Sequence, residues 1–163
     1  MTRHLPLYFR NFVFGVEDSL VSTVGLLSGI AAGGVPRETI VLTGAVLVLV
    51  EAFSMAAGSF LVETSVQEYV HEKTKKERPA GGGAVMFVSY IVAGFIPLAP
   101  YVFADASSAL YLSVLASLVS LFLLGFIGGS LSHGNLVYRG VRMMIFGGVA
   151  IVAGVFAGLL FAM

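Results

Sequence analysis

The chain has 163 residues, of which 58% are hydrophobic and only 11% charged, a balance that excludes an ordinary water-soluble domain and points to a lipid-embedded one. Nine Lys and Arg against nine Asp and Glu give a formal charge of zero, so neither a basic excess for nucleic acid nor an acidic solubilising tail is present. Cysteine is absent, which removes disulfides, thiolate metal sites and cysteine nucleophiles together.

The opening "MTRHLPLYFR" runs into an apolar segment without a small-residue cleavage site, so a retained helix is predicted rather than a signal peptide. Apolar runs near the roughly 20 residues that cross a bilayer follow in order. They are predicted as helices over residues 11–32, 38–68 (its apolar part ending at Val62), 84–104, 107–129 and 141–161. The breaks carry turn chemistry: "GGVPRE", "KTKKERPAGGG", "ADASS" and "SHGNLVYRG". The expected fold is an all-α integral membrane protein, a single transmembrane domain over residues 1–163 with five spanning helices and lipid as its surroundings.

Positive residues are held on the cytoplasmic side during insertion. Arg3 and Arg10 precede the first helix. Lys73, Lys75, Lys76 and Arg78 lie between the second and third, and Arg139 and Arg142 between the fourth and fifth. Only Arg37 falls on the other side. The N-terminus is therefore expected in the cytoplasm and the C-terminus outside or in a lumen, which agrees with an odd number of spans.

Two carboxylates then fall near mid-membrane. At a rise of ~1.5 Å per residue, Asp18 lies on the order of 12 Å beyond Arg10, and Glu51 on the order of 20 Å from Glu38 coming inward. An ionised carboxylate at that depth costs at least roughly 2.5–3.5 kcal/mol on insertion scales, so these two, with the neighbouring Glu17, require a partner or an occupant. No intramembrane Lys or Arg is expected beside them. Either they carry protons or a cation sits between them.

Helical periodicity gathers Asn11, Gly15, Asp18, Ser22, Gly25 and Gly29 on one small, polar stripe of the first helix. Gly44, Glu51, Met55 and Gly58 form a comparable stripe on the second, with Ser54 and Ser59 at its margin. Small stripes alone mean close packing; the carboxylates argue for binding or transport instead. Met55 by itself reads as core, but one turn from Glu51 its soft sulfur could complete a site for a borderline transition metal.

These stretches resemble the vacuolar iron transporter family. "VFGVEDSLVSTVGLLSGI" looks like that family's first helix, with Asp18 at the acidic position and Ser19 where a glycine is usual. "EAFSMAAGSFL" looks like its second helix, with Glu51 and Met55 on the membrane-embedded carboxylate and methionine. "GFIPLAPY" resembles the proline motif of the third helix, and "RGVRMMIFGG" the opening of the last. The resemblance implies a homodimer that moves Fe2+, and in some members Mn2+, out of the cytosol in exchange for protons. Its site would be Asp18, Glu51 and Met55 at the dimer interface, with the metal as substrate and no cofactor. It implies the plasma membrane if the source is prokaryotic and the vacuolar membrane if eukaryotic.

The long cytoplasmic insertion between helices two and three, rich in glutamate and methionine in many members of that family, is missing here. Glu63 is the better candidate for a cytoplasmic mouth. Glu68 and Glu72 at i,i+4, with His71 beside them, could form a vestigial capture site, against which the adjacent Lys and Arg residues act. Pro97 and Pro100 are expected to kink or end the third helix, and Gly154 and Gly158 to serve packing on the fifth. His133 reads as a polar loop residue. Neither an HExxH motif nor a serine with a well-spaced histidine is present, so no enzyme is expected. The competing readings are a non-transporting membrane scaffold, with its carboxylates protonated and hydrogen-bonded across helices, and a passive cation channel.

Overall fold

The structure, a computed structural model, describes residues 5–69, 79–104, 106–131 and 135–162. They form α1 (Leu5–Ala32), α2 (Arg37–Tyr69), α3 (Pro79–Phe103), α4 (Ala106–Leu131) and α5 (Leu136–Phe161). All five are long and apolar enough to cross a membrane, and the described residues contain no strand. The 33 residues of α2 reach roughly 50 Å, well beyond a hydrocarbon core of about 30 Å, so one end of this helix stands clear of the lipid tails.

The least apolar of the helices is the central one. Ser19, Leu20, Thr23, Val24, Leu27 and Ser28 of α1 are all fully buried, with α3, α5, α4 and α2 arranged around them. Lipid demands hydrocarbon from the outside of a bundle, so a helix rich in hydroxyls and glycine is stable only inside it. Accordingly α5 turns most of its surface outward, through Ile145, Val149, Val152, Phe156 and Leu159. One core cluster joins Leu20, Ala93 and Leu121 at mid-depth; a second joins Leu27, Ile40, Leu98, Tyr101 and Ala109 toward the α1–α2 turn.

Two helices, α3 and α5, start or continue where turn chemistry had suggested a break. Pro79 occupies the first turn of α3, where its missing N–H costs nothing, and the glycines behind it are helical because nothing larger fits. A Cβ on Gly81 would sit 2.7 Å from the Tyr8 hydroxyl, on Gly82 2.6 Å from Asn11 Nδ2, and on Gly83 2.9 Å from the Ala56 carbonyl. α3 thus passes against side chains of α1 and against the backbone of α2. α5 begins at Leu136 because Asn135 caps it, its side chain accepting from the Tyr138 N–H at 3.2 Å. Arg139 and Arg142 therefore lie inside a helix. α3 also runs through Pro97 and Pro100 to Phe103 without ending at either, and the Ser113 hydroxyl of α4 donates to the Pro97 carbonyl at 2.7 Å.

The α1–α2 turn needs Gly34, whose φ of +76° lies in the left-handed region. With it the Val35 N–H reaches back to Ile30 O at 3.2 Å and closes the end of α1. Arg37, the lone basic residue of this side, donates from Nε to the Tyr101 carbonyl at 2.5 Å and from its terminal nitrogen to that of Val102. It thereby satisfies and charge-balances the C-terminus of α3.

Candidate functional site

Asp18 of α1 and Glu51 of α2 are both half-buried and lie within electrostatic reach of one another. Two spanning helices thus bring carboxylates together at one level. Their common neighbour is Tyr90 of α3, fully buried, whose hydroxyl feels both charges and shares a 2.8 Å hydrogen bond with Ser22. Ser19 donates to the Tyr90 carbonyl at 2.7 Å. The serine that replaces the expected glycine therefore ties α1 to α3 beside Asp18. Tyr90 was not legible as a site residue, because a tyrosine inside "MFVSYIVAG" counts as apolar in a hydropathy reading.

Met55, one turn from Glu51, lines a cleft of about 630 Å³ between α1, α2 and α3, together with Arg10, Asn11, Phe14, Ser59 and Met86. Two residues of its walls carry polar atoms buried without a protein partner, Asn11 Nδ2 and Ser59 Oγ. Asp18 stands two turns beyond Asn11 along α1, roughly 10 Å deeper. Neither Asp18 nor Glu51 lines the cleft, which lies nearer the end of the bundle that holds the α1 N-terminus.

Arg10, at the rim, forms an ion pair with Glu63. Glu63 is buried, with its side chain 8% exposed against 64% for Arg10, so the carboxylate depends on the arginine more than the reverse. Arg10→Gln should lower the stability of the solubilised protein by ~1–2 kcal/mol, less than for a fully buried pair because the guanidinium is largely solvated. A melting curve superimposable on the native one would show that Glu63 finds another partner. Glu68 lies on the last turns of α2 and is exposed, whereas Glu72, with His71, lies outside the described residues. Among the described residues, no group of three His, Cys, Asp or Glu side chains converges. Asp18 and Glu51 are a pair, with Met55 one turn from Glu51 along α2.

The polar stripe of α1 does not serve one interface. Gly15 packs against Ser89 and Met86 of α3, whereas Gly25 and Gly29 pack against Ala150 and Gly154 of α5. On α2, Gly44 meets Leu27 and Leu98, while Gly58 has open space around it. Periodicity had placed these residues on common faces correctly, but one face touches different neighbours along its length. Glu17, next to Asp18, turns toward α5, where the charge of Arg142 reaches it. A cation therefore lies within electrostatic reach of Glu17, where none had been expected.

A model of the VIT family matches residues 9–80 and 62–159. The chain is 26% identical over 152 residues to Vacuolar iron transporter homolog 2 of Arabidopsis thaliana, covering 86% of this chain and 77% of that protein. It is 28% identical over 155 residues to Vacuolar iron transporter homolog 4 of the same plant, covering 88% and 78%. With Protein CCC1 of Saccharomyces cerevisiae it shares 24% identity over 221 residues, covering 89% of this chain and 66% of CCC1. That match is longer than the whole of this chain, so CCC1 carries additional residues within the matched stretch. The two segments matched by the family meet at residues 62–80, the end of α2 and its connection to α3.

Proposed function

Because the chain belongs to the VIT family, we propose that it is a metal-ion transporter that carries ferrous iron, and manganese as a second substrate, out of the cytosol in exchange for protons. The observation that carries this reading is the Asp18–Glu51 pair: two carboxylates from different spanning helices, within each other's field, with the Met55 thioether one turn away. Such a pair is costly in a membrane unless an ion or protons occupy it. Carboxylate and thioether together suit a borderline divalent metal better than magnesium or calcium. The names of the plant relatives point to iron.

A pair of carboxylates and one sulfur fall short of a full coordination shell, and a two-fold dimer would present the same set twice. The homodimer, with the shared site between protomers, is part of the proposal. So is the orientation, which rests on the excess of Lys and Arg at the ends of the bundle holding the N-terminus and the α2–α3 and α4–α5 connections. With the cytoplasmic cleft open, the deprotonated site takes the metal; once it faces the more acidic compartment, protons neutralise the carboxylates and release it. Metal and protons exclude one another, and that competition is the coupling.

The test is ferrous-iron uptake into proteoliposomes containing a pH dye, under an imposed proton gradient. Iron entering as protons leave is the expected result. Iron entry without proton movement would make the protein a channel, and no movement of iron or manganese would make it a scaffold. Met55→Ala should retain transport but weaken iron relative to manganese by roughly tenfold, since the soft ligand contributes more to the softer ion. An unchanged ranking of the two metals would remove Met55 from the site.

A further inference from the structure

Helices α1 and α5 run side by side in the same direction, with their backbones touching. Gly25 packs against Ala150 and Gly154, and Gly29 against Gly154 and Gly158, so each α1 position lies between the α5 positions 125 and 129 further on. Carried two turns toward the N-terminal ends, the same register sets Glu17 between the levels of Arg142 and Phe146, with Arg142 within about one turn of it. The electrostatics agree, since both Arg142 and Asp18 lie within electrostatic reach of Glu17. The two do not form a direct ion pair, although both are among the described residues. The guanidinium, exposed on its helix, acts through space.

Three acidic groups thus lie in sequence across the bundle: Glu51, Asp18 and Glu17. With all three charged and no counter-ion, the site would carry three negative charges and hold a trivalent cation better than a divalent one. We propose that Arg142 sets the charge this site accepts, its fixed positive charge offsetting Glu17 so that Asp18 and Glu51 remain to match one divalent cation. The inference rests on reading Asp18 and Glu51 as the ion site, and it adds a specificity-determining residue on a helix that does not touch the ion. No proton transfer is involved. What Arg142 contributes is a permanent charge that neither the metal nor the transport cycle removes.

The test is equilibrium binding to the full-length protein in detergent, with Mn2+ followed by its electron paramagnetic resonance signal and La3+ as competitor. Arg142→Gln should shift preference toward La3+ by on the order of tenfold, the effect of one unit charge at roughly 10 Å with an effective dielectric near 20. Arg142→Lys should stay close to native, and the double variant Glu17→Gln/Arg142→Gln should return to it. A native La3+/Mn2+ ratio in Arg142→Gln would overturn the proposal, as would a shift that persists in the double variant, because then Glu17 is not what Arg142 offsets. Asp18→Asn serves as the separate check on the site itself. If it binds Mn2+ as tightly as the native protein, the ion site lies elsewhere and the proposal fails with it; if it loses binding while Arg142→Gln keeps the native ratio, only the role of Arg142 is lost.

Discussion

Asp18→Asn and Glu51→Gln, each reconstituted into proteoliposomes, should move ferrous iron no faster than empty vesicles and release no protons. The reasoning is electrostatic. A unit charge at ~4 Å with an effective dielectric near 20 is worth about 4 kcal/mol per charge on the ion, so deleting one carboxylate costs a divalent cation more than ~100-fold in occupancy. Each amide keeps the shape of the side chain and one oxygen ligand. It loses the charge and the capacity to take a proton, so metal loading and proton-driven release fail together.

The same pair of variants separates transport from packing. If Asp18 and Glu51 were protonated carboxyls hydrogen-bonded across helices, an amide would replace either at little cost, and nothing about the protein would depend on metal. Both variants should therefore elute and melt like the native protein while losing transport. Full coupled transport in both would sink the assignment. Loss in Asp18→Asn alone would move the site along α1, toward Tyr90 and Ser22, with Glu51 acting only as its electrostatic neighbour.

The number and order of the helices were legible because lipid imposes a length on every apolar run, and the proximity of Asp18 and Glu51 was legible because acid is rare inside such runs. Helix ends were not. "RPAGGG" and "HGNLVYRG" have the composition of turns, and only the close passage of α3 over Tyr8, Asn11 and Ala56, and the cap supplied by Asn135, make their later residues helical. The influence of Arg142 on Glu17 was not legible either, because it depends on how α5 packs against α1. Tyr90 was missed for another reason: its aromatic body is core while its hydroxyl bonds Ser22 within electrostatic reach of Asp18 and Glu51. The faces of α1 were read correctly and their neighbours were not, because a period of 3.6 residues tells which side chains share a stripe and never which helix meets it.

The pairing of α1 with α5 leads to the second large effect, on folding. Gly158→Ala and Gly154→Ala should each destabilise the solubilised protein by ~2–3 kcal/mol or more, and Gly158→Leu should prevent a folded protein from being recovered. A Cβ on Gly154 would overlap the Gly25 carbonyl, and one on Gly158 the Gly29 carbonyl. These obstacles are backbone atoms of the central helix and cannot rotate aside as a side-chain tip can. α5 would have to stand off along its whole length, giving up the van der Waals contact that holds helices together in lipid, where no hydrophobic effect between them compensates. Gly148→Ala is the control: nothing lies within 4 Å of its Cβ, so the better helix propensity of alanine should leave stability unchanged or raise it by up to about 1 kcal/mol. Melting temperatures in one detergent decide the matter. Equal melting of Gly158→Ala and Gly148→Ala would mean that α5 is not seated on α1 at this register, and the level assigned to Arg142 beside Glu17 would fall with it.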